Sequence, residues 1–375
     1  FMKKKDIETL NDPGSVNALS SSLIKLREDF KLESLILSES PQKVFDDKNI
    51  AYKTLQQYDI KDLDPESTEY IFKKENPDLV LTGVSVNSNI ERYFIYIART
   101  NNILSISMFE GYTFSTVRFK DEQINPRFRF RPDFLLVLDK IAEEIMMKEG
   151  FKEEQLIITG HPAYDDLLKV KQSFNEQDFL KVRTDLGIEQ DSYLTTFLSQ
   201  PLLEDMQAGS LKDFGYTQVS VLSDLESALQ SLDIQNLTLL VKIHDREREE
   251  STKSAFKGKL RKVLFDRKYD TRLAILASDL ITGMVTNALI EAVYLDKDVV
   301  SLQPGLFEGY EDRLITNKLG LSIPVYKKDD IMRILKKVMH DERFKEELRQ
   351  RRSKLSLDGK ATERVVNFVY KLLNV

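Results

Sequence analysis

Apolar residues in this chain fall into short unbroken runs, separated by longer stretches in which they recur every three or four positions. The runs are rich in Val, Ile, Leu and Phe and read as strands, and the longer stretches read as helices. Strands are expected at Ser34–Ser38, Ala51–Leu55, Asp78–Thr82, Ile103–Phe109, Phe134–Leu138 and Gln155–Thr159, and helices at Val16–Phe30, Asn89–Thr100, Ile141–Glu149 and Ala163–Gln172. The alternation resumes with strands at Tyr193–Leu198, Leu237–Lys242, Lys262–Phe265, Leu280–Gly283 and Val299–Leu302, and helices at Thr217–Leu232, Asn287–Leu295 and Asp329–Met339. Strands joined by crossover helices form parallel sheets, and strands apolar on both faces are covered on both. Lys3–Leu10 is an unusually polar candidate strand.

The pattern predicts an α/β protein of two facing Rossmann-like, doubly wound domains. Residues 1–172 form the first and residues 173–356 the second. The seam is expected in the polar stretch Gln172–Gln190. Residues 357–375 read as a last helix that crosses back to the first domain, after a break at Ser356–Gly359.

The length of 375 residues suits two domains. A net charge of −6 removes a global nucleic-acid footprint, so no nucleic-acid partner is expected. The chain has no cysteine, which excludes disulfides and thiolate chemistry, and its three histidines make a histidine-rich metal site improbable. No cofactor or metal is expected. No apolar stretch reaches membrane-spanning length, and the opening residues lack the apolar core of a signal peptide, so a soluble, cytoplasmic protein is expected.

In open α/β sheets ligands bind beyond the carboxyl ends of the strands. Asn11–Asp12–Pro13–Gly14–Ser15 precedes the first helix. Asp12 is placed there to act as a base or to bind a hydroxyl, and Gly14 to admit an anion, although the same residues make an ordinary capped turn. Ser85, in Thr82–Ser88, is a candidate acceptor contact or a helix cap. Glu110–Gly111 follows an apolar strand, where the carboxylate is placed to take a proton from a hydroxyl nucleophile.

His244 ends the apolar strand Leu239–Ile243, beside Lys242 and Arg246, and reads as a group that meets a phosphate. Thr286 and Asn287 open the helix after Leu280–Gly283, a ready anion site, with Glu291 one turn on for a ribose or sugar hydroxyl. Gln303 ends another strand of the same sheet. The loop Tyr112–Pro132 interleaves Arg118, Arg127, Arg129 and Arg131 with Phe119, Phe128 and Phe130. It suits an anionic acceptor or a membrane surface, or is simply a solvated loop. The basic runs Lys257–Lys262 and Arg349–Arg352 read as exposed helix faces.

The segments NDPGSVNAL, PDLVLTGVSV, FLLVLDKIAEEIMMKEGFKEEQLIITGHPAYDDL, VKIH and TNALIEA together resemble the GT-B glycosyltransferases and the UDP-N-acetylglucosamine 2-epimerases that share their fold. The acidic residue before glycine, the histidine and the hydroxyl position are similar to those of bacterial sialyltransferase-like transferases of surface polysaccharides. That resemblance implies Glu110 as base, His244 as helper of the departing nucleotide phosphate and Thr286 as phosphate ligand. Asp245 stands where those relatives carry proline, and Asn287 where they carry a second hydroxyl. His244–Asp245–Arg246–Glu247 also resembles the epimerases' His–Pro–Arg–Glu.

The expected function is transfer of a sugar from a nucleotide-sugar donor to a hydroxyl of a glycan or lipid-linked acceptor in surface-polysaccharide synthesis, at the inner membrane face. The alternatives are a sugar-nucleotide epimerase and a non-catalytic binding relative.

Overall fold

The protein is described by a computed structural model covering residues 5–10, 13–36, 39–85, 89–112, 117–119, 130–209, 211–232, 234–353 and 357–373. It divides into two compact units: Phe1–Asp166 with Asp358–Val375, and Leu167–Leu357. The chain passes from one to the other inside the helix Pro162–Ser173, six residues before the expected seam.

Unit 1 holds a six-stranded sheet of β1 (Lys5–Leu10), β2 (Lys31–Ile36), β3 (Leu79–Thr82), β4 (Leu104–Phe109), β5 (Phe134–Val137) and β6 (Leu156–Ile158), in the order β2-β1-β3-β4-β5-β6. Unit 2 holds β7 (Tyr193–Leu198), β8 (Leu237–Lys242), β9 (Lys262–Asp266), β10 (Leu280–Gly283), β11 (Val299–Leu302) and β12 (Ile323–Val325), in the order β12-β11-β10-β7-β8-β9. Every strand pairing among the described residues is parallel. Both sheets are doubly wound, as expected from the strand–helix alternation. Each reverses direction once, between β1 and β3 and between β7 and β10, which is where loops splay apart and a ligand can enter.

The central strands β3, β8, β10 and β11 are buried at every position, which is why their sequence shows no alternation. Several expectations need correction. Ala51–Leu55 is not a strand: Thr54 and Gln57 close a capping box around the 3₁₀ turn Leu55–Tyr58, and Lys53 turns to the buried Glu75. The second strand lies at Lys31–Ile36 rather than Ser34–Ser38. Lys257–Arg261 is irregular chain leading into the edge strand β9, not a helix face. Arg349–Arg352 ends the helix Glu342–Arg352, but Arg352 is only 3% exposed because Asp298 and Asp296 draw it inward.

The last helix, Ala361–Leu373, completes the core of unit 1. Val365, Val366, Val369 and Leu373 pack in one cluster with Leu19, Leu23 and Leu26 of the helix Pro13–Asp29. Its free N–H groups are met by a side chain far away in sequence. Asp165 accepts from Ala361 N at 3.0 Å and from Thr362 N at 2.7 Å, while Arg364 Nε donates to Thr159 O at 2.7 Å. A buried carboxylate receiving two helix-end N–H groups combines a cap with a favourable dipole. Asp165→Ala leaves those N–H groups buried and unmet, and is expected to cost unit 1 about 1.5–3 kcal/mol, read as a lower denaturant midpoint.

Candidate functional site

In unit 1 the switch point is packed backbone against side chain. A Cβ on Gly83 would lie 2.2 Å from Ser15 Oγ, so only glycine lets the end of β3 close on the first turn of the helix Pro13–Asp29. Gly14 lies half-buried in that turn. Ser85 is bracketed by buried Glu91 of the next helix, with Ser85 N at 3.0 Å from Oε2 and Ser85 Oγ at 2.9 Å from Oε1. Glu110, just past β4, accepts from Arg118 Nη1 at 3.2 Å. Arg118 also donates to Val84 O and lies over the Phe109 ring, 5.4 Å from its centroid.

The ends of β3 and β4 are therefore joined by one guanidinium, which holds Glu110 beside a positive charge. The described part of the Tyr112–Pro132 loop turns inward: Phe119 and Phe130 are buried, and Arg131 donates to Glu149 O and Gly150 O at the end of the helix Lys140–Lys148. Asp12 and Arg129 lie outside the described residues.

Unit 2 gathers more. His244 lies exposed after β8. Its Nδ1 accepts from Arg246 N at 3.2 Å, which leaves the proton of the neutral ring on Nε2. Burial of its surroundings, followed by the Arg246 charge, lowers the His244 pKa below 6.5. At neutral pH the ring is thus an Nε2–H donor rather than a cation.

The turn that carries it is fixed by Glu247, only 4% exposed, which accepts from His244 N at 3.0 Å and from Ser199 Oγ and Thr252 Oγ1, each at 2.8 Å. Desolvation raises the Glu247 pKa. Arg267 donates to Asp245 O and Glu247 O, and Arg246 forms a forked pair with Asp205 at 2.5 and 3.2 Å.

Beyond β10, Gly283 approaches β7 so closely that a Cβ would lie 2.8 Å from Leu198 O. The following loop is clasped by the Gln200 amide, which donates to Val285 O and accepts from Val285 N at 2.8 Å. Thr286 then caps the helix Asn287–Tyr294 by accepting from Ala288 N at 3.4 Å, with Asn287 exposed in the first turn. Ser199 and Gln200, adjacent residues after β7, thus tie the His244 turn on one side and the Thr286 loop on the other.

Three expected ligands face protein instead. Lys242, 5% exposed, pairs with Asp266 and donates to Tyr269 O at 2.6 Å. Glu291 is gripped by Arg272 at 3.1 and 3.3 Å. Gln303, 1% exposed, bonds Ser301 Oγ and Tyr216 OH.

Sequence reasoning passed over Ser199 and Gln200, and met Glu247 only within the His–Asp–Arg–Glu run, with no role of its own. The first two carried a usable signal, since Ser199–Gln200–Pro201 sits at the carboxyl end of a clear strand.

Among the described residues no cluster of His, Asp and Glu is arranged to hold a metal ion, and no helix is long and apolar enough to cross a membrane.

A family model described as CDP-glycerol:poly(glycerophosphate) glycerophosphotransferase matches residues 46–371. The chain belongs to this family. No curated protein matches it in sequence.

Solved structures that share this chain's fold include the following three. S. aureus MnaA with UDP has 16% identity and a TM-score of 0.70, over 99% of this chain and 97% of that one. The Neisseria meningitidis UDP-GlcNAc 2-epimerase bound to UDP-GlcNAc has 12% identity and a TM-score of 0.68, over 98% and 100%. A Rickettsia africae glycosyltransferase has 11% and 0.63, over 100% and 99%. At these identities the likeness establishes the GT-B-type fold, and the family match makes the protein a transferase.

Two measurements check the unit 2 site. NMR titration of the His244 ring is expected to give a midpoint below 6.5. In the window below 6.5 the unfolded chain binds more protons at this residue, so its contribution to stability is present above 6.5 and is lost as pH falls through the folded value. Gln200→Ala, which removes the partner of both backbone groups of Val285, is expected to cost about 1–3 kcal/mol, read as a lower denaturant midpoint.

Proposed function

We propose that this protein extends a surface polymer by moving the activated group of a nucleoside-diphosphate donor onto an acceptor hydroxyl, with a CDP-linked polyol phosphate as the favoured donor. The observation that carries this reading is the His244 turn. A neutral imidazole with Nε2–H free to donate stands at the carboxyl end of β8, and the next loop beyond β7 presents the amino end of the Asn287–Tyr294 helix. Such a pair suits a phosphate that gains charge as it departs. The family supplies the donor class, since its described reaction uses CDP-glycerol and a poly(glycerophosphate).

In that reaction the acceptor oxygen bonds to the β-phosphorus of the donor. The bond from that phosphorus to the oxygen bridging the two phosphates breaks, and CMP leaves with the bond's electron pair. Glu110, paired with Arg118 at 3.2 Å, takes the proton of the acceptor hydroxyl. His244 Nε2–H and the Thr286–Asn287 turn stabilise the CMP phosphate. Asp12 in place of Glu110 as base, and Gly14, Ser85 and Arg129 as acceptor contacts, belong to the same proposal.

A second reading, glycosyl transfer or epimerisation of a UDP-sugar, draws on the UDP and UDP-GlcNAc bound by the S. aureus and N. meningitidis proteins. There the carbon–oxygen bond at the sugar breaks, and a nucleoside diphosphate leaves.

The readings separate by product. Purified protein with CDP-glycerol and a glycerophosphate oligomer is expected to release CMP only when acceptor is present. UDP release with acceptor supports glycosyl transfer, and a changed sugar with donor alone supports epimerisation. A cytidine nucleotide at about 100 times its dissociation constant should stabilise the fold by about 2.7 kcal/mol in a thermal-shift screen. Glu110→Gln is expected to lower kcat by about 10²–10⁴-fold. His244→Gln should lower it on the order of ten- to a hundredfold. Wild-type turnover in both variants sinks the mechanism.

A further inference from the structure

Unit 2 contains a cavity lined by polar and apolar residues remote in sequence from His244 and Gln200. It has a volume of about 250 Å³ and lies where the end of the helix Pro162–Ser173 meets the ends of the helices Asn287–Tyr294 and Glu342–Arg352. Leu168, Val293 and Leu357 give it apolar walls, and Lys171, Asp296 and Arg352 give it charge.

The guanidinium of Arg352 is the group that calls for a ligand. It is 3% exposed, yet both of its hydrogen bonds, to Asp296 Oδ1 and Asp296 O, are stretched to 3.5 Å. Its Nη1 faces Asp298 Oδ1 at 2.9 Å as an ion pair, but neither atom has a hydrogen-bond partner. Arginine offers five N–H donors in a planar fork, and leaving them poorly met in a buried place is costly.

Lys171, 35% exposed, stands across the same carboxylate, 3.3 Å from Asp296 Oδ2. Asp296 itself has φ +69°, a left-handed backbone that a non-glycine residue adopts at some cost, and its side chain is 57% exposed. Lys171 also donates to Tyr294 O at 3.2 Å, so two cations here face two carboxylates, of which Asp296 is the half-open one.

The geometry points to a site for a small hydroxylated organic phosphate, held by Arg352 and Lys171 through its phosphate and by Asp296 through its hydroxyls. A phosphate oxygen offers closer, better-aligned acceptors than the stretched bonds to Asp296, and matches the planar fork. The volume exceeds the roughly 150 Å³ that admits a benzene-sized guest, and the apolar walls suit a short carbon chain. The site is separate from the donor site of the proposed function and does not depend on that reading.

The test uses the full chain and glycerol 3-phosphate as probe, with inorganic phosphate and glycerol as comparisons, followed by calorimetry and by NMR of ¹³C-labelled Leu and Val methyls. Glycerol 3-phosphate is expected to bind more tightly than either comparison and to shift methyls of Leu168, Val293 and Leu357. Lys171→Met should weaken it about tenfold, and Ser353→Trp, which fills the cavity mouth from an exposed position, should abolish it. Saturating CMP or UDP should leave the binding unchanged. Lack of binding up to about 10 mM, equal affinity in the two variants, or competition by the nucleotides would each overturn the assignment.

Discussion

The unit 2 site depends on two neighbouring side chains after β7. Ser199 reaches the buried Glu247 that fixes the His244 turn, and Gln200 pairs with both backbone groups of Val285 ahead of the Thr286 cap. β7 is the strand at which the sheet reverses, so its loop is the one element adjacent to both neighbours. Side chains there coordinate loops that arrive from opposite windings of the sheet. Neither loop is regular structure, and without such ties each would sample many conformations at a cost of about 1–2 kcal/mol per ordered residue.

Glycine plays the corresponding part at the level of backbone. Gly83 faces Ser15 and Gly283 faces the Leu198 carbonyl, each at the switch of its own sheet. Both units therefore reach the same local solution, a close approach between the end of the first strand and the strand next to it across the reversal. The polar residues past these strands differ: a carboxylate paired with arginine after β4 in unit 1, and a neutral imidazole after β8 in unit 2.

The fold was legible where burial dominates. Tyr193–Leu198, Leu237–Lys242 and Leu280–Gly283 are strands at the bounds their apolar runs suggest. Polar edge elements such as Lys31–Ile36, and the capped turn at Leu55–Tyr58, were not, because turn chemistry and pairing outweigh hydrophobicity there. Of the candidate residues, Glu110, His244 and Thr286 stand where the sequence puts them, just past the ends of β4, β8 and β10. The partners that decide what each residue is available for come from elsewhere in the chain: Arg272 for Glu291, Asp266 for Lys242 and Glu247 for His244. Lys242 illustrates the difficulty. Position alone made it a phosphate ligand, and one carboxylate on the adjacent strand makes it part of the sheet edge.

The Asp165 cap sets an order of events during synthesis. The residues it holds, Ala361 and Thr362, lie 196 and 197 positions further along. A ribosome adding roughly 5–20 residues per second needs on the order of ten seconds or more to deliver them. Throughout that interval the hydrophobic surface of the first unit awaiting Val365 and Val369 is uncovered, while the whole of Leu167–Leu357 emerges and can fold. The nascent chain thus cannot complete its first unit until its second has been synthesised, and the early half is the one that needs protection from aggregation.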